Sequence, residues 1–503
     1  MNHTAGPQLI AYADRFGGSL SALKDLLDGP LAGTFDGVHI LPFFTPFDGE
    51  DAGFDPSDHT VVDSRLGTWE DVRDLAATYR IMADLIVNHV SASSPEFLDV
   101  IARGSDSPHF PMFLTMASVF PDGATEVDLA AIYRPRPGLP FTPMTLGEDR
   151  RLMWTTFTSQ QIDLDVRSTE AAAYLERVLA SLTEGGVSMV RLDAVGYSVK
   201  TPGTSSFMTP DTYAFIDNLA QKARARGAEV LVEIHGHYEQ QIDVASKVDL
   251  VYDFALPPLV LYALHTGDAA PLLHWMKVRP TNAITVLDTH DGIGVVDVGP
   301  SHDGQPGLLD AEQIESLVEG IHERSRGGSR AATGWAASNV DVYQVNCTYF
   351  DALGGDEKAY LAARAFQLFT PGTPQIYYVG LLAGRNDMEL LRSTGVGRNI
   401  NRHHYDRAEI EEALGDPLVM TLMRLIRLRK NHPAFAGRCS VDGSGSRITL
   451  DWTHDNHRAC LDVDFADSNV SLTATTPDGD EIVMGLTDDA LGELADAEDS
   501  AVR

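Results

Sequence analysis

Val190-Arg191-Leu192-Asp193-Ala194-Val195-Gly196-Tyr197 passes from apolar residues through two charged positions into small ones. That is the pattern of a buried strand whose carboxyl end opens into a site. Two further stretches share the form: Leu231-Val232-Glu233-Ile234-His235 and Val286-Leu287-Asp288-Thr289-His290-Asp291. One carboxylate at a strand end is more often a cap or a salt-bridge partner. Three of them on successive strand-like segments point to a site, provided the strands converge.

The rest of the chain argues that they do. Short apolar runs at Leu9–Tyr12, Gly37–Leu41, Ile81–Val87, Ser188–Leu192, Val230–Ile234, Leu250–Tyr252, Ile284–Leu287 and Gln375–Val379 alternate with helix-period segments such as Ser168–Leu182 and Thr212–Arg226. Eight such alternations predict an α/β fold in which parallel strands close a (β/α)8 TIM barrel, with the active site at the carboxyl ends of the strands. Two connections are too long for ordinary loops. The expected division is a barrel from 1–86, 168–292 and 356–435, and an inserted subdomain at 87–167 after strand three. A second insertion, at 293–355, follows strand seven, and a C-terminal antiparallel β domain covers 436–503. A helix capped by Asp416 and begun by Pro417 should close the barrel. Strands are expected at Arg447–Trp452, Ala459–Phe465, Val470–Ala474 and Glu481–Met484, and the last dozen residues should fray.

Composition narrows the class. Acidic residues number 72 against 38 Lys and Arg, a formal charge of -34, which disfavours nucleic acid and anionic lipid as partners. It also means that an anionic substrate needs its own local cations. The three cysteines, Cys347, Cys439 and Cys460, are scattered without metal-ligand spacing, as suits a reducing compartment. Met1–Pro7 lacks the look of a signal peptide and no run is long enough to span a membrane, so the expectation is a cytoplasmic protein without a membrane partner.

Several acids at a barrel mouth suit glycosyl transfer with retention. That chemistry needs an ionised carboxylate to attack the anomeric carbon and a protonated one to release the leaving oxygen. Asp193 fits the nucleophile, because Arg191 projects from the same strand face and favours its ionised form. Glu233, among apolar residues and other acids, fits the acid/base, with an expected upward pKa shift. Asp291 fits a third role, stabilising the cationic transition state beside His290.

With those residues in hand a resemblance follows. Asp84-Leu85-Ile86-Val87-Asn88-His89, Arg191-Leu192-Asp193, Glu233 and His290-Asp291, in that order, resemble the signature regions of the α-amylase clan. More narrowly the chain resembles the sucrose phosphorylase family. The segments that carry this are Asp51–Pro56, Tyr133–Thr142, Arg191–Tyr197, Val286–Gly294 and Asp341–Asn346. The resemblance implies that Asp193 is nucleophile, Glu233 acid/base and Asp291 stabiliser. It implies that Asp51, His89, Arg191, His290 and Arg398 hold the glucosyl unit and that Phe54 and Phe157 wall it. Tyr133, Pro135, Asp341 and Gln344 would line the acceptor side, and Gln161, Tyr197 and Val342 complete the substrate contacts. Loop movement would exchange Asp341 for Tyr343 and bring Arg136 inward for phosphate. The implied substrates are sucrose and inorganic phosphate, and the products α-D-glucose 1-phosphate and fructose. No organic cofactor is implied. In many amylases the position of Asn88 helps bind calcium, a metal this family does without. A homodimer is compatible with the family.

Two departures stand out. His235-Gly236-His237-Tyr238 follows the acid/base where the family pattern has a serine and a tyrosine, and Asn399 stands where aspartate is expected. Rival readings are phosphorolysis of sucrose 6'-phosphate, glucosylglycerol or glucosylglycerate, hydrolysis of an α-glucoside, and a non-catalytic relative that shares the barrel.

Overall fold

The computed structural model describes residues 6–135, 138–301, 304–333 and 344–496. Arg136, Asp341, Val342 and Tyr343 lie outside the described residues.

Eight parallel strands close a barrel: β1 Gln8–Ala11, β2 Gly37–Ile40, β3 Arg80–Ile86, β4 Met189–Asp193, β5 Glu229–Val232, β6 Leu250–Asp253, β7 Ala283–Thr285 and β8 Thr373–Tyr377. Each pairs with its neighbour in chain order, and β8 pairs with β1. Most of their residues are buried, as parallel strands covered by helices on one side and a packed interior on the other must be. That double burial is why they read as unbroken apolar runs.

The helices between them obey local rules. Ser168 caps Thr169–Glu184 by accepting from the Ala171 N–H at 3.1 Å. Thr209 caps Pro210–Ala225, where proline takes the first turn, which needs no N–H. Asp416 caps Pro417–Asn431, whose Leu418, Val419, Leu422, Leu425 and Ile426 are all buried.

Between β3 and the helix Thr169–Glu184 the chain makes two small sheets, His89–Ser91 with Gln161–Asp163 and Phe141–Leu146 with Asp149–Trp154. A satellite cluster of Leu114, Val119, Phe120, Ile132 and Trp154 holds this segment together. After β7, Ile293–Gly294 pairs with Gln344–Val345, and the helices Ala311–Arg324 and Gly328–Thr333 lie between them.

Beyond the barrel a five-stranded antiparallel sheet runs in chain order: Arg438–Ser444, Arg447–His454, His457–Asp464, Asn469–Thr475 and Glu481–Met484. Its first strand was not expected. Of the last dozen residues, expected to fray, 497–503 lie outside the described residues, and those up to Asp496 belong to a helix, Asp489–Asp496, whose Leu491, Leu494 and Ala495 are buried. Its Ala495 carbonyl accepts from Asn431 Nδ2 at 3.1 Å, which ties it to the closing helix.

β7 is shorter than its apolar run. Gln367 Nε2 donates to the carbonyls of both Thr285 and Gln375 at 2.9 Å, so a side-chain amide takes the place of further ladder bonds. Residues 286–291 therefore leave the sheet as a loop. Among the described residues no helix is long and apolar enough to cross a membrane.

Candidate active site

Register brings the first charges together. Arg191 on β4 stands opposite Asp84 on β3, and their side chains meet at 2.5 Å. The same guanidinium reaches Asp193 Oδ1 at 2.8 Å and Glu233 Oε1 at 3.3 Å. One buried cation, 2% exposed, thus carries three carboxylates from three adjacent strand ends. Asp84 is fixed further by His39 at 3.1 Å. Burial alone would raise the Asp84 carboxyl, but His39 and Arg191 overcome it and hold the group well below the usual range.

The turn after β4 supplies another contact. Ala194 takes a left-handed conformation, φ 54°, and its N–H donates to Glu233 Oε2 at 3.0 Å. Burial pushes the Asp193 carboxyl well above the usual range; Arg191 opposes this, and the Glu233 and Asp84 carboxylates add to it. The expectation that Arg191 alone keeps Asp193 ionised is therefore too simple. Each negative charge placed in so dry a site makes the next one costlier, and this is why the neighbouring carboxylates add to the shift of Asp193.

Asp291 lies opposite, six residues beyond the end of β7. Arg398 Nη1 bridges Asp291 Oδ1 at 3.0 Å and Asp51 Oδ2 at 2.9 Å. Burial alone would raise the Asp291 carboxyl, but Arg398 foremost holds it well below the usual range. Burial keeps His290 neutral, with its pKa lowered to about 3. Phe54 stacks on the His290 ring at 4.8 Å and 9° and forms a flat apolar wall. Asp51 and Ala52 reach the rim through consecutive left-handed conformations, φ 49° and 58°. His89 Nε2 donates to the Phe54 carbonyl at 2.9 Å and its ring meets Phe157 at 5.5 Å.

These groups surround a cleft open to solvent, with about 610 Å³ between them counting the open part. Of the expected site residues it is lined by Asp51, Phe54, His89, Pro135, Phe157, Gln161, Asp193, Tyr197, Glu233, His290, Asp291, Gln344 and Arg398. Arg191 lies beneath the acids rather than in the wall, and Tyr133 lies behind it, packed on Tyr197 and Phe207 at 6.0 and 4.7 Å. Ala194 and His235, the latter within one of the two departures, also line the cleft, although neither was among the expected contacts. Arg402, 1% exposed on its side chain, was also missed. Its Nε donates to the His290 carbonyl at 2.8 Å and its Nη2 stands 3.3 Å from Asp51. The available signal was its place four residues after Arg398. Asn399, one of the departures, donates to Thr394 Oγ1 at 3.0 Å and is no part of the cleft lining.

The Asn88 oxygen has a partner that bears on metals. Lys200 Nζ, 1% exposed, donates to Asn88 Oδ1 at 2.9 Å, pairs with Asp163 Oδ2 at 2.6 Å and bonds the Tyr197 carbonyl. The ammonium fills the position these oxygens could offer a cation, so calcium does not fit among them. Replacing Lys200 by Met is expected to leave the Asp163 charge buried without a cation, held by the Thr156 N–H and hydroxyl, at a cost of about 3–5 kcal/mol in stability. Denaturant melts check this. A chelator should leave the melting of the unaltered protein unchanged.

Acids converging on a cleft at the carboxyl ends of a (β/α)8 barrel define an α-amylase-type glycoside-active protein, and residues 31–254 match the family described as Alpha amylase, catalytic domain. The sucrose phosphorylase of Agrobacterium vitis is 59% identical over 472 residues, covering 93% of this chain and 96% of that protein. That of Bifidobacterium adolescentis is 54% identical over 458 residues, covering 90% and 91%. The crystal structure of sucrose 6F-phosphate phosphorylase from Thermoanaerobacter thermosaccharolyticum superposes with a TM-score of 0.89 at 38% identity, covering 96% and 98%. The chain belongs to the sucrose phosphorylase family.

Proposed function

We propose that this enzyme transfers glucose from sucrose to inorganic phosphate, reversibly, giving α-D-glucose 1-phosphate and fructose. The observation that carries the reading is the 59% identity to the A. vitis enzyme across nearly the whole chain, with all three acids intact around one cleft.

Asp193 attacks the anomeric carbon as the bond to the fructosyl oxygen breaks, and Glu233 gives that oxygen its proton. The shorter guanidinium contact lies on Asp193, 2.8 Å against 3.3 Å to Glu233, which favours the charged form of Asp193 that the attack needs. A β-glucosyl-aspartate results. Phosphate then attacks the same carbon, Glu233 recovers a proton, and the double displacement retains configuration. Asp291, held ionised by Arg398, stabilises the positive charge that develops at the sugar. Asp51, His89, His290 and Arg398 hold the glucosyl unit, with Phe54 and Phe157 as walls, and Arg191 acts through the acids it carries. Tyr133, Pro135, Gln344 and Asp341 serve the acceptor side, with Gln161, Tyr197 and Val342 beside them. A chain of formal charge -34 needs guanidinium to hold phosphate, and Arg136, with the exchange of Asp341 for Tyr343, meets that need.

The same reading assigns the four-part domain division given above, a cytoplasmic location, no nucleic-acid or membrane partner, no cofactor, and a homodimer as the assembly open to it. The test is direct. With sucrose and saturating phosphate the product is expected to be glucose 1-phosphate. Mostly free glucose would mean a hydrolase. Turnover of sucrose 6'-phosphate but not sucrose would favour the chemistry named for the Thermoanaerobacter relative.

A further inference from the structure

We propose that Glu233, His235 and Asp291 form a binding site for a zinc-type divalent cation, which takes the place of the reacting sugar carbon and acts as a reversible inhibitor. One ligating atom from each of these three residues lies within 4.8 Å of the other two. Among the described residues this is the one group of His, Cys, Asp and Glu so arranged.

His235 is prepared for the role. Its Nδ1 faces Asp297 Oδ2 at 2.9 Å, and Asp297 is fully buried. Asp297 is fixed in turn by the Gly236 N–H and Gln241 Nε2, each donating to Oδ1 at 3.0 Å. A carboxylate behind one ring nitrogen is the support that metal-binding histidines ordinarily have, because it sets the tautomer and frees the other nitrogen. Here that other nitrogen, Nε2, stands 3.8 Å from Glu233 Oε1. Phe254 stacks on the ring at 3.9 Å and 16°, which holds its plane. The Gln344 amide is 3.2 Å from Nε2 and donates to its lone pair. A cation displaces that weak contact.

The ligand set selects the ion. One imidazole and two carboxylates suit zinc or cobalt, which accept three protein ligands and a water. Calcium and magnesium take all-oxygen shells, so an imidazole in the set disfavours both. Arg398 holds Asp291 Oδ1, and the metal would take Oδ2, which stands 3.8 Å from His290 Nε2. The formal charge of -34 raises the cation concentration at the surface.

Calorimetric titration of the whole protein with zinc sulfate, in phosphate-free buffer, should give one site. His235→Gln should abolish it, and Asp297→Asn should weaken it about 10- to 100-fold. Magnesium and calcium should give no binding. Undiminished zinc binding in both variants, or magnesium binding as tightly, would overturn the site. If His235→Gln melts early, Asp297→Asn alone decides. The inhibitory half rests on the function proposed above. It is read from fluoride release by α-glucosyl fluoride with fructose in place of phosphate as the glucosyl acceptor, which avoids insoluble zinc phosphate. Zinc should raise the apparent KM and leave kcat unchanged; a fall in kcat at saturating donor would overturn the shared location. Calorimetry needs no turnover, so an inactive protein that binds zinc would overturn the function and leave the site standing.

Discussion

Asp193→Ala is expected to lose about 10⁴-fold or more of sucrose turnover, because the covalent step has no other nucleophile. The loss should not be one of folding. Arg191 keeps its 2.5 Å contact with Asp84 and its 3.3 Å contact with Glu233, so no cation is stranded by the change. One buried carboxylate fewer beside Glu233 and Asp84 relieves like-charge crowding, so melting should hold or rise. Turnover near that of the unaltered protein would refute the nucleophile assignment. A loss matched by early melting would show that Asp193 is structural.

Glu233→Gln should divide substrates by their leaving groups. Fructose departs poorly without a proton, so turnover of sucrose is expected to fall about 10²- to 10⁴-fold. Fluoride needs little help, so formation of the glucosyl-enzyme from α-glucosyl fluoride should fall far less. Glutamine keeps an oxygen able to accept the Ala194 N–H, now at 3.0 Å, and so holds the shape of the site. Single-turnover measurements on the two donors make the comparison. Equal losses on both would remove Glu233 from the acid role.

The barrel was legible because strands buried on both faces leave continuous apolar runs with sharp ends. The missed strand Arg438–Ser444 has no buried residue, and Gly443 and two serines break any apolar alternation. The helix Asp489–Asp496 was hidden by its acids, although Leu491, Leu494 and Ala495 recur at helical spacing. The three acids could be read because each ends a strand-like run. Asp291 was nevertheless set too close to its strand, since nothing local reveals that Gln367, far along the chain, takes the Thr285 carbonyl. Lys200, Asp297 and Arg402 escaped for the same reason. Their meaning lies in partners that only folding brings near: Asp163 for Lys200, His235 for Asp297, and Asp51 for Arg402.

Lys200 carries a consequence beyond packing. A keystone that is covalently part of the polypeptide cannot be leached away, diluted or traded for another ion. An enzyme proposed to consume phosphate works in a medium that strips calcium from weak sites and precipitates it. Building the keystone from an amine lets such a catalyst meet its own co-substrate at any abundance without losing its shape.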